Sequence, residues 1–105
     1  MKSYQIMLPI GQENLTDLSR LLGVSVEPDE FDKVESKFED SGLDELEHLF
    51  FDLEMIKISV LFEKYEGYLN VNVKGNGETF TMVSEYLYDE YVKSGGNVAF
   101  QEKPK

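Results

Sequence analysis

The chain has 105 residues, 41% of them hydrophobic, with seven Phe and six Tyr; that is enough for one packed domain and too apolar for a disordered acidic tail. It carries no cysteine and a net charge of −11, which excludes disulfide and thiolate chemistry and disfavours direct contact with nucleic-acid phosphates or anionic lipid. No apolar run approaches the ~20 residues that span a bilayer, and the N-terminus enters an alternating pattern without a signal-peptide core, so the expected compartment is the cytoplasm.

Tyr4, Ile6, Leu8 and Ile10 alternate with polar or smaller positions and predict a strand, closed by Pro9 and Gly11. Leu15, Leu18, Leu21 and Leu22 then recur at helical spacing, which predicts a helix over Glu13–Leu22 with Gly23 just past its end. A second helix is expected from about Pro28 to Asp40, with Phe31, Val34 and Phe38 as a narrow apolar stripe and Asp29 and Glu30 at its positive dipole end. Leu43, Leu46, Leu49, Phe50 and Leu53 fit the inner face of a third helix. The period then drops to two, so Ile56–Phe62 and Tyr68–Val73 read as two strands of a hairpin.

Gly75-Asn76-Gly77 is a turn signal that could open either a strand over Glu78–Val83 or a helix over Thr79–Lys93. The helix is preferred, because Phe80, Val83, Leu87 and Tyr91 fall on one face and Gly95-Gly96 ends the run. Val98 and Phe100 suggest a last strand. The expected organisation is a single globular domain over 1–101 and a polar tail over 102–105. The order strand, helices, strand, strand, helix, strand is that of an α+β, ferredoxin-like split βαβ fold. It would have about four strands and a first crossover expanded to two or three helices.

Charge is the most informative feature. Between Glu27 and Glu54, twelve carboxylates against Lys33 and Lys37 leave −10 of the chain's −11. The bland reading is a solvated face of two amphipathic helices. Against it, Glu35/Glu39 and Asp40/Asp44 are like charges four residues apart, an arrangement that costs a helix a few tenths of a kcal/mol. The functional reading is a face that docks a basic protein surface, since such a field speeds encounter with cationic partners. Asp29, Asp32, Asp40, Asp44, Glu45 and Glu47 are the acidic candidates. Met82 and Tyr86, four residues apart in the last helix, are the candidate anchors.

Other chemistries have little material. Asp40-Ser41-Gly42-Leu43-Asp44 lacks the acid and glycine spacing of an EF-hand loop, and His48, the one histidine, provides no zinc set, so no metal or cofactor is expected. A DNA-reading helix in the Glu27–Val34 region would turn Glu27, Asp29, Glu30 and Asp32 toward phosphates. His48 would lie between Asp44 and Asp52 on a helix, with no cysteine or linked serine to make it part of a nucleophilic site. The expectation is therefore a non-enzymatic acidic binding protein, such as an inhibitor of a cationic nucleic-acid-acting or toxin protein of the immunity or anti-defence kind. The alternative is a domain that forms a homodimer or holds a small ligand on an open sheet face around Met7, Leu61 and Tyr68.

Overall fold

A computed structural model describes residues 1–64 and 69–95, together with the backbone of 100–103. Along the chain these form β1 (Lys2–Leu8), α1 (Gln12–Leu22), α2 (Glu30–Ser41), β2 (Glu45–Asp52), β3 (Ile56–Glu63), β4 (Leu69–Gly75), α3 (Gly77–Lys93) and β5 (Phe100–Lys103). The five strands make one open sheet in the order β2-β3-β4-β1-β5, and every neighbouring pair is antiparallel. The β3–β4 hairpin thus lies between two helical crossovers, and β1 lies between β4 and β5. This α+β arrangement is compatible with a ferredoxin-like kind of fold.

Among the described residues the sheet is covered on one side only. Tyr4, Ile6 and Leu8 of β1, Val71 and Val73 of β4, and Ile56, Ile58, Val60 and Phe62 of β3 form one buried cluster with Leu15 and Leu18 of α1, Phe31 and Phe38 of α2, and Val83 and Leu87 of α3. The strict alternation of buried and half-buried residues along β1 and β3 is the period-two pattern of strands with one core face. Gly75 ends β4 beside the start of β3. A Cβ there would stand 2.6 Å from the Met55 carbonyl oxygen, so the close approach of the two strands needs a residue without a side chain.

α3 forms as the preferred reading has it. Asn76 is its extended N-cap residue, and Gly77 takes φ of +64°, a backbone region that a side chain disfavours. Val83 and Leu87 are fully buried, Phe80 and Tyr91 partly so, and Phe80 meets Tyr4 edge to face at 5.4 Å.

One element is a correction. The expected third helix over Leu43–Leu53 is strand β2, so the first crossover contains two helices and β2 joins the sheet beside β3. The reason is a β-bulge. Leu49 pairs with Ser59 but Phe51 pairs with Ile58, leaving Phe50 as the extra residue. The bulge lets the consecutive Phe50 and Phe51 both be buried, so the apolar spacing of this strand imitates a helical period. The inserted Phe50 ring stacks on Phe31 of α2 at 5.5 Å. Phe62 lies 5.4 Å from Phe31 and 5.9 Å from Phe38, so an aromatic cluster fixes α2 over β2 and β3.

At the C-terminus, Glu102 and Lys103 of the expected tail belong to β5, which pairs with β1 from Ile6↔Phe100 to Ser3↔Lys103. The expectations for Tyr68, Val98 and residues 104–105 lie outside the described residues.

Candidate functional site

α2 carries its acids in two rows. Asp29 and Asp40 share the outer row with Lys33, Ser36 and Lys37, and together with Asp32, which stands at the edge of the next row, they line a shallow surface groove. Lys33 compensates this row, reaching Glu27 Oε2 at 2.9 Å and Asp29 Oδ1 at 3.6 Å. Asp32, Glu35 and Glu39 form the second row, at i, i+3 and i+7 along the flank of the helix. Among the described residues none of these three makes an ion pair.

The second row leads to a hollow of about 280 Å³ where α2 ends over β3 and β4. Glu35, Glu39 and Lys64 line it together with the end of β3 at Glu63, and its apolar surface comes from Phe38, Leu43, Phe62 and Leu69. Burial first, and then the charges of Glu39 and Asp32, hold the Glu35 carboxyl above its ordinary range. The Glu63 carboxylate itself is on the uncovered side of the sheet, opposite Glu45, where it accepts a hydrogen bond from Asn70 Nδ2 at 2.8 Å. Asp44 is drawn to the same end of the sheet, because its carbonyl accepts from the Lys64 amide at 2.9 Å.

Glu45 and Glu47 are elsewhere. As strand residues in register with Glu63 and Leu61 they face the uncovered side of the sheet, not the helical layer. Glu47 Oε2 there accepts from Ser59 Oγ at 2.7 Å and from Asn72 Nδ2 at 3.4 Å. A single helical face containing Asp40, Asp44, Glu45 and Glu47 is therefore not what the chain builds. The same correction applies to His48. It is half-buried on the core side of β2, opposite Val60 and 4.6 Å from the Phe50 ring, with Asp44 and Asp52 no longer on a helical turn above and below it.

The two expected anchors also separate. Met82 is exposed. Tyr86 is half-buried between α3 and α1, where its Oη donates to Asp17 Oδ2 at 2.8 Å and accepts from Asn14 Nδ2 at 3.0 Å. Asn14 also donates to Glu90 Oε1 at 2.9 Å, and its own Oδ1 accepts from the Gly11 amide at 2.9 Å, which caps the start of α1. Burial first, and then the bond to Asp17, hold the Tyr86 phenol well above its usual range, against the bond from Asn14. Tyr86 is thus the joint between two helices, and Asn14, Asp17 and Glu90 are its partners.

No family model, no curated protein and no solved structure matches this chain. Among the described residues no group of three His, Cys, Asp or Glu side chains is placed to hold a metal ion. No described helix is long and apolar enough to cross a membrane.

The like charges of Glu35 and Glu39, four residues apart, are the sequence signal that points to this hollow, although they are not among the acidic candidates read from the sequence. Phe38 and Leu69 join it only through the packing of α2 over β3 and β4.

Proposed function

We propose that this protein is a non-enzymatic binding module for a basic surface on another protein, with the acid-lined hollow at the end of α2 as its centre. A lysine or arginine of the partner enters the hollow. Its aliphatic stem lies on Phe38, Leu43 and Leu69, and its charged head meets Glu35 and Glu39. The observation that carries the reading is the crowding of Glu35 by Asp32 and Glu39 beside an apolar surface. A cationic group placed there relieves a repulsion that the free protein bears. Asp29, Asp32 and Asp40 along α2 and Asp44 beyond its end supply the long-range attraction.

An inhibitor of a nucleic-acid-acting or toxin protein, of the immunity or anti-defence kind, is the role that suits such a surface, because it occludes a basic site that accepts phosphates. A ferredoxin-like scaffold is the finer reading of the fold that goes with it. The cysteine-free composition suits a cytoplasmic setting.

The test begins with affinity capture from the source lysate at low salt and elution at moderate salt, followed by purification of the retained protein. Its affinity is then measured for the native chain, Glu39→Lys and Glu47→Gln. The expected result is a loss of about 2 kcal/mol or more for Glu39→Lys and little change for Glu47→Gln. A retained protein without a basic surface, or an unchanged affinity for Glu39→Lys, would remove the hollow from the account.

A further inference from the structure

The uncovered face of the sheet is ordered by charge. At one end Glu45 stands opposite Glu63 in the β2–β3 register. At the other, Lys57 of β3 stands directly opposite Lys74 of β4. Between them lies the neutral row of Ser59, Asn72 and Gln5. A direct cross-strand pair of like charges is destabilising. This one joins two of only ten Lys and Arg residues in a chain with 21 carboxylates. Lys57 is partly neutralised by Asp52, while Lys74 makes no ion pair among the described residues.

The cationic end opens into a concave site of about 330 Å³ bounded by Glu47, Leu49, Lys57, Ser59, Asn72 and Lys74. That volume is at the small end of the range for small-molecule sites. Glu47 is held in place by the hydrogen bonds from Ser59 and Asn72, both to Oε2, which leaves Oε1 without a donor among the described residues. Two lysines and one oriented carboxylate therefore line one hollow, with half-exposed Leu49 as an apolar wall.

From this geometry we infer that the hollow on the open sheet face binds a small zwitterion of the amino-acid class. Its carboxylate lies toward Lys57 and Lys74, its ammonium group toward Glu47, and its side chain over Leu49. Overall charge selects the zwitterion over a bare anion. A molecule at −11 repels an approaching anion over a Debye length, whereas a ligand of zero net charge meets no such barrier. Glu47 itself would also repel an anion that brought no donor. The site is separate from the acidic hollow at the end of α2 and does not depend on it.

The test is an amide chemical-shift titration of the full chain with each of the twenty standard amino acids, with sodium acetate as the anion alone and methylammonium chloride as the cation alone. The expected result is that at least one amino acid gives saturable shifts confined to the amides around Ser59, Asn72 and Lys74. Glu47→Gln and Lys74→Gln should each weaken that binding about tenfold or more. Both substitutions are at the surface, so the titrated variants keep the fold, and the unperturbed spectrum shows it directly. Four outcomes would overturn the inference: no amino acid moves these amides; acetate saturates them as tightly; the binding survives both substitutions; or the same amides shift with protein concentration alone, which would assign the face to a second copy of the chain.

Discussion

Glu35 shows how a single side chain reports on the surface around it. It is half-buried on α2, and its folded-state pKa is raised, first by burial and then by Glu39 and Asp32. The folded chain consequently binds this proton more tightly than the unfolded chain. Charging Glu35 costs stability as pH rises from the ordinary glutamate range through the folded-state value, and the cost persists at neutral pH. Glu35→Gln is expected to stabilise the protein by a few tenths of a kcal/mol at pH 7 and to change nothing well below the carboxyl range. Denaturant melts at the two pH values check it, and an equal effect at both would mean the substitution acts through packing. Tyr86 makes the opposite kind of contribution. Tyr86→Phe removes the donor to Asp17 and the acceptor from Asn14 at the α1–α3 joint. A loss of about 1 kcal/mol is expected, measured by the same melts, with no effect on capture of a basic partner.

At the scale of elements, β2 is the instructive case. Its residues satisfy a helical period because the bulge turns Phe50 and Phe51 inward in succession. No local signal announces a bulge, which depends on how β2 meets β3. Leu49 and Phe50 separate the two readings. A helix over Leu43–Leu53 would bury both. In the strand Phe50 is 9% exposed and Leu49 46%. Phe50→Ala is therefore expected to cost about 3 kcal/mol or more, and Leu49→Ala within about 0.5 kcal/mol. Comparable losses from the two would contradict the observed strand. The elements with an unbroken period were legible from sequence alone. The alternation of β1 and β3 and the stripes of α1 and α2 all form close to their expected bounds, and α3 prevails over the competing strand because its apolar residues keep helical spacing through four turns. The candidate site was less legible, because Glu45 and Glu47 change sides of the molecule when the segment that holds them changes from helix to strand.

For the whole molecule, the excess of carboxylates is the dominant long-range term. Ion pairs such as Lys33–Glu27 have both side chains more than 60% exposed and contribute little, so added salt screens net repulsion more than it weakens attraction. The melting temperature is expected to rise between low ionic strength and about 0.5 M NaCl. Association with a basic partner is expected to slow over the same range. Calorimetry and stopped-flow mixing check the two, and a melting temperature that falls with salt would show that local ion pairs outweigh the net charge. The sequence by itself determined the quantity and sign of that charge, the amphipathic stripes of the helices and the period of the regular strands, because each is a local property of composition or spacing. Tertiary structure alone decided the bulge in β2, the placing of Glu35 and Glu39 beside Phe62 and Leu69 at one hollow and the alignment of Lys57 with Lys74. These join residues distant in sequence, and only strand register and helix packing bring them within range of one another.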